Sequence, residues 1–483
     1  MPAGMGTALT RAALVQSMAR MMTFSNRMRM PAALLLSTLL GLPQATLAAG
    51  MDGTIPQGGS TVSALPPPPA RMDGLDALYD ARIRVAGLED RRFQPEHWWS
   101  IAASLLEAKP FAVEELGRSA EGRPLRHISW GEGPTRVLLW SQMHGDESTA
   151  SMALADLIRF LGEHPSHPLV RRLHAATSLH LMPIVNPDGA ARFQRRNAQG
   201  IDINRDARAL ASPEARALHG LRERLQPQYG FNLHDQQVGY RAGDSARGTA
   251  IALLAPPYNE AREVDAVRGR AIQLAVAVRA ALEPHVGGHI AKWDDTFNPR
   301  AFGDLTAKAG VSTLLIESGG IEGDLHKQRL RKLNFLALAA ALDAIATGSH
   351  LGLSHAPYEQ LPENGKVWPD LLVRGATLAL PGLPQARADV LVDFEDALLE
   401  RGGRIEDVGD LGQSPARRVI DASGLYIVPL PPLASGGAEA REAGFSRGAP
   451  ARFLLSRDPQ GREVVWTLAG DVDPAAPVPV RSP

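Results

Sequence analysis

Two textures of apolar and polar residues follow one another along this chain, with the change near residue 348. Before it, short apolar runs at 136–143, 177–185, 229–233 and 312–316 read as strands. Between them lie longer stretches with apolar residues on one helical face. Residues 148–164 carry Leu154, Leu157, Ile158 and Leu161 in that way, and further helices are expected over 213–225, 259–282 and 326–345. Continuous apolar strands separated by amphipathic helices predict an α/β sheet covered on both faces. After residue 348, short alternating segments at 376–380, 390–394, 425–428, 452–455 and 464–468 are separated by Gly- and Pro-rich turns. That pattern predicts a separate, mostly β domain over 348–483.

The N-terminus reads as an address. Arg27 and Arg29 precede an apolar run, 31–42, that is too short to span a bilayer comfortably, and Ala45, Thr46, Ala48 and Ala49 follow it. The expectation is a signal peptide over 1–48, with export to the periplasm or beyond and no membrane insertion after cleavage. Residues 49–70, with Gly58, Gly59 and the run Pro66 to Pro69, suit a linker. The α/β domain would then occupy 71–347.

Composition narrows the chemistry. The 483 residues exceed one typical domain, and 44% hydrophobic with 21% charged residues is ordinary for a globular chain. A formal net charge of −1 argues against a nucleic-acid partner, and 5% aromatic residues leave little for base stacking. The chain has no cysteine, so disulfides, thiolate ligands and a cysteine nucleophile are excluded. Any metal must be held by His and carboxylate.

His144 and Glu147 lie three residues apart just after the first predicted strand, and no other of the 14 histidines has a Glu three positions downstream. Two closely spaced ligands with a third from far along the chain is how many catalytic zinc sites are assembled. The other reactive positions also follow predicted strands, where open α/β sheets carry their sites. Asn186-Pro187-Asp188-Gly189 follows the second strand, His234 ends the third and Glu317 ends the fourth. Between them runs Arg195-Arg196-Asn197-Ala198-Gln199-Gly200-Ile201-Asp202-Ile203-Asn204-Arg205-Asp206.

Taken in order, these motifs resemble the zinc carboxypeptidase family over roughly residues 95–345, including the entry segment Gly117-Arg118-Ser119-Ala120-Glu121-Gly122-Arg123. The resemblance implies a three-layer mixed sheet with helices on both faces. It also implies one Zn2+ per chain, held by His144, Glu147 and His234, with water in the open position. Glu317 would be the general base. Arg195, rather than its neighbour Arg196, would stabilise the developing oxyanion. Asn204 and Arg205 would clamp the substrate's free carboxylate, and Asp202 would orient His144.

One departure concerns the substrate. The family often places a tyrosine shortly before the catalytic Glu, on a closing loop. Here the last tyrosine before Glu317 is Tyr258, and Phe297 or Asp295 is expected to line the pocket instead. The Gly-x-Ser-x-Gly match at Gly444 to Gly448 is read as a surface loop, because the last histidine of the chain, His355, precedes it. The implied activity is a zinc metallocarboxypeptidase acting on a peptide or peptide-like substrate with a free carboxylate. The alternatives are a zinc amide hydrolase or murein-peptide hydrolase, and an inactive homologue that binds.

Overall fold

The computed structural model describes residues 74–107, 110–365, 367–431 and 445–469. The expected signal peptide and linker lie outside the described residues, as does Gly444. No described helix is long and apolar enough to cross a membrane.

The first sheet has eight strands: β1 (Ala112–Arg118), β2 (Pro124–Trp130), β3 (Thr135–Ser141), β4 (Thr177–Met182), β5 (Tyr229–Asp235), β6 (Ile251–Leu254), β7 (Ile290–Lys292) and β8 (Ser312–Ser318). Their order is β1-β2-β4-β3-β5-β8-β6-β7. The central four, β4-β3-β5-β8, are parallel, while β1, β2 and the β6 pairing with β8 are antiparallel, so the sheet is mixed. The central strands are buried on both faces, and successive residues feed two cores. Val137 and Leu139 of β3 pack in one core with Leu154, Leu274 and Leu338 of the long helices Thr149–Glu163, Ala266–Val286 and Gln328–Thr347. Leu138 and Trp140 pack in the other, with Leu218 and Leu221 of helix Pro213–Leu225 and with Phe302. A strand with period-two side chains and apolar residues at every position needs this three-layer arrangement.

The four strands and four helices expected up to residue 347 all form, with shifted ends. Strand β4 stops at Met182 because Pro183 follows and has no N–H to extend the ladder. The helix expected from residue 259 begins at Ala266: the Asp265 side chain accepts from Arg268 N at 2.8 Å and caps it. Residues before it form a turn in which Asn259 Oδ1 accepts from Glu263 N.

Beyond helix Gln328–Thr347 a second sheet is built from β9 (Leu371–Leu378), β10 (Ala386–Asp396), β11 (Arg401–Gly409), β12 (Arg418–Asp421), β13 (Tyr426–Pro429), β14 (Phe453–Ser456) and β15 (Val464–Leu468). The path is β11-β10-β9-β13-β14-β15, with β12 paired to β9. Its own core contains Leu371, Val390, Ile427 and Phe453. Phe445 to Gly448 are turn residues leading to β14, with no helix after them, so the geometry that a nucleophilic serine requires is not formed there.

An interior ion pair fastens the N-terminal segment to the long helices. Arg331 and Asp156, both fully buried, meet in a two-pronged contact of 2.6 and 2.7 Å. Tyr79 Oη and Val85 N also donate to Asp156, and Arg331 donates to the Val85 and Leu88 carbonyls. Replacing Arg331 with Met leaves a buried carboxylate without its charge partner. The expected loss is about 3–5 kcal/mol of stability, read by chemical denaturation. A loss under 1 kcal/mol would contradict this role.

Candidate metal centre and active site

The local chain conformation after β3 is set by three close contacts. Gln142 takes a positive φ of 52° and its side chain donates to the Gly145 carbonyl at 2.9 Å. Asn186 caps the short helix Pro187–Arg192 through Gly189 N and also donates to the Met143 carbonyl. Gly145 lies so close to this turn that a Cβ there would come within 2.0 Å of the Gly189 carbonyl carbon. Only glycine fits, and the packing fixes where the neighbouring His144 points.

His144 from this loop, Glu147 at the entry to helix Thr149–Glu163, and His234 near the end of β5 offer donor atoms that all lie within 4.8 Å of one another. This is the one such group among the described residues. Glu147 lies between the rings: Oε1 is 2.7 Å from His144 Nδ1, and Oε2 is 2.7 Å from His234 Nδ1. At that separation a proton or a cation must sit between nitrogen and oxygen. Two imidazoles and one carboxylate are a donor set suited to zinc with one open position. The residues present therefore fit the metal.

The next layer orients the rings. Asp202 Oδ1 lies 3.1 Å from His144 Nε2. An ionised carboxylate only accepts, so Nε2 carries a hydrogen, which leaves Nδ1 as the ring atom that can share a proton or a cation with Glu147. Arg195 meets the other Asp202 oxygen through Nε at 3.1 Å and Nη2 at 3.0 Å. Its Nη1 lies 3.1 Å from His144 Nδ1 and 3.4 Å from Glu147 Oε1, which puts the guanidinium over the ligand group. Asn204 Nδ2 is 3.2 Å from His234 Nε2, while its oxygen accepts from Phe302 N at 2.9 Å. Its side chain thus serves the protein framework at both ends. Arg205 donates to the Asn204 carbonyl and lines the cleft.

Glu317 is on β8, in register with His234 on β5. It is buried, and its Oε2 has no hydrogen-bond partner within the protein. Burial, then Glu147 and Asp235, push its carboxyl well above the usual range, against Arg195 and Lys327. Burial would also raise Glu147, but the two imidazoles hold it below that range. Burial alone would lower His144, yet Glu147 and Asp202 prevail and hold it up, at about 9. The two carboxylates are therefore driven apart: the imidazoles lower the proton affinity of Glu147, and burial beside acidic groups raises that of Glu317. Lys327, itself buried at a φ of 54°, ties the strand ends together by donating to Asp235 and the Ser318 carbonyl, both at 3.0 Å.

These groups open on a cleft of about 940 Å³. His144, Glu147, Arg195, Asn204, Arg205, His234 and Glu317 all line it; Asp202 stands behind His144. Phe297 lines it as expected, but Asp295 does not: it is ion-paired with Arg262 at 2.9 Å and with the buried Arg268 at 2.8 Å. Sequence reasoning missed Lys327, Tyr240 and Trp368. Tyr240 enters from the loop after β5, with its ring 5.3 Å from that of Trp293, so the cleft has a phenol although the interval before Glu317 has none. Only the short distance of Tyr240 from His234 in the chain signalled it.

A His–Glu–His group that could hold a metal, placed at the strand ends of a mixed α/β sheet, is what the fold and geometry define. Residues 101–230 match the family model described as zinc carboxypeptidase. It is 31% identical over 98 residues to carboxypeptidase SOL1 of Arabidopsis thaliana, covering 19% of this chain and 20% of that protein. It is 29% identical over 161 residues to murein peptide amidase A of Escherichia coli K12, covering 26% of this chain and 61% of that protein. A metallo-carboxypeptidase structure from Burkholderia cenocepacia aligns with a TM-score of 0.42 at 20% identity, covering 54% of this chain and 69% of that one. The matches thus span less than two thirds of these curated relatives.

Removing a donor or its orienting partner should weaken metal binding by different amounts. His234→Ala is expected to abolish stoichiometric zinc in the purified protein, and Asp202→Ala to weaken it about 10–100-fold in chelator competition. Full zinc occupancy of His234→Ala under that competition would remove the assignment.

Proposed function

We propose that the chain is a zinc-dependent metallocarboxypeptidase that cleaves the C-terminal peptide bond of a peptide. The observation that supports this best is the convergence of His144 Nδ1, His234 Nδ1 and Glu147 beside a buried Glu317 oxygen that lacks a protein partner. Zinc held by the three donors supplies Lewis acidity that brings the pKa of water toward neutrality. Glu317 takes the water's proton at Oε2 and returns it to the nitrogen of the departing amine. Arg195, held over the ligands by Asp202, donates toward negative charge as it develops on the scissile carbonyl oxygen. Arg205 lines the same cleft with a planar guanidinium, matched in shape to a terminal carboxylate, and Asn204 fixes the backbone from which it projects.

A murein-peptide amidase is the second reading, favoured by the alignment over 61% of murein peptide amidase A. Both reactions break an amide and use the same groups. A binding role without catalysis is less economical, because a solvated substrate-binding cleft has no need of the buried Glu317 carboxyl. Export through residues 1–48, and a division into units 71–347 and 348–483, complete the proposal.

Glu317→Gln should keep its zinc and lose about 10²–10⁴-fold in kcat, measured on a peptide library whose products are identified by mass. Parallel digestion of muropeptides separates the two enzyme readings. Wild-type rates in the zinc-loaded variant would end the general-base assignment. Arg205→Met should raise KM about tenfold or more for substrates with a free C-terminal carboxylate and leave their C-terminal amides unaffected. An equal effect on both would show that Arg205 does not read the carboxylate.

A further inference from the structure

The second sheet supplies one wall of the cleft. Val367 and Trp368, on the approach to β9, line it together with Asp393, Phe394, Asp396 and Leu398 at the end of β10 and the turn beyond. Two sets of contacts hold this wall in place. In the first, the chain ahead of β9 is zipped onto the loop that follows His234. Asn364 Nδ2 donates to Gln236 Oε1 at 2.8 Å, Gly365 N to the Arg241 carbonyl at 2.6 Å, and Trp368 N to the Gly239 carbonyl at 2.9 Å. The Arg241 guanidinium lies 4.2 Å over the Trp368 ring. The approach is too close for side chains: a Cβ on Gly239 would come within 2.4 Å of the Trp368 carbonyl oxygen.

In the second set, Arg91 and Arg92 both pair with the buried Asp396 at the tip of β10. Arg91 is only 6% exposed and also donates to the Leu325 carbonyl at 3.3 Å. Both guanidiniums lie over the ring of Phe193, at 5.0 and 4.6 Å, and Phe193 itself lines the cleft. The β10 tip is therefore fastened, at the lining of the cleft, to the segment that precedes the first sheet.

The ligands and Glu317 are all less than a tenth exposed, so a scissile bond must be carried down into the cleft to reach them. Its volume of about 940 Å³ is within the range of about 300–1,000 Å³ for pockets that hold one ligand. Seating a folded partner instead takes about 800 Å² of matched surface on each side. We propose that the second sheet is a size filter on the hydrolytic centre: the wall of Val367, Trp368 and Asp393 to Leu398 admits the extended end of a short peptide and excludes chain ends that emerge directly from a folded domain. This rests on the hydrolase reading above.

The test compares two probes on zinc-loaded full-length Glu317→Gln protein by fluorescence anisotropy. One is a short-peptide library with free C-termini; the other is the same library joined without a spacer to a small folded carrier. The short library is expected to bind about tenfold or more tighter than the fused one. Asp396→Asn, which releases the Arg91–Arg92 clasp, and Trp368→Ala, which removes the wall's largest side chain, should each narrow that ratio to about twofold. Equal binding of the two probes overturns the filter, as does an unchanged ratio in both variants with native circular dichroism. Binding of neither probe, with no cleavage of the short library by wild type, overturns the hydrolase reading and the filter with it.

Discussion

The two oxygens of Glu147 are divided between His144 and His234, each 2.7 Å from an imidazole Nδ1. A buried carboxylate is costly unless it is paired, so the two rings must be brought to it with correct tilt. One ring comes from a loop after β3 and the other from β5, and these strands are adjacent in the parallel centre of the sheet. Much of the surrounding structure serves that meeting. Gly145 allows the loop to press against the Gly189 turn, Asp202 turns one ring, Asn204 contacts the other, and Lys327 ties the strand end beyond His234 to the one beyond Glu317.

The same charge arrangement separates two glutamates of one type into different chemical states. Glu147 has two imidazoles around it and stays ionised; Glu317, close by and equally buried, has carboxylates as neighbours and no partner for Oε2. A pair of carboxyls with opposed environments is the usual physical basis for dividing electrostatic and proton-transfer roles. Here the division follows from register: β5 and β8 put His234 beside Glu317, so the Glu317 carboxyl stands next to the His–Glu–His group without belonging to it.

The second sheet gives the cleft a boundary that the first sheet lacks. Its strands form their own core, yet its contributions to the cleft come from the chain before β9 and the β10 tip. Both are fixed by groups of the α/β unit: Gln236, Gly239 and Arg241 on one side, and Arg91 and Arg92 on the other. Charge neutralisation of a buried Asp396 by two arginines decides where this boundary lies.

The amino-acid sequence by itself determined the central strands, the long helices and the set of chemically special residues. Those elements bury continuous or one-sided apolar surface, and such periodicity is local information. Strands β1, β2, β6, β7, β11 and β12 were not among those expected: β1 stays mostly in water and carries no apolar pattern, while β6, β7 and β12 are only four, three and four residues long. His144, Glu147, Asp202, His234 and Glu317 were legible through spacing and resemblance, and the positions of His144, Glu147, His234 and Glu317 at or just after strands were legible too. Tertiary structure alone decided that Asn204 contacts His234, that Asp295 turns away to Arg268, and that Tyr240, Lys327 and Trp368 face the cleft. The reason is physical: a side chain's partners depend on which distant segments pack beside it, and hydrophobic period constrains faces, not pairings between loops.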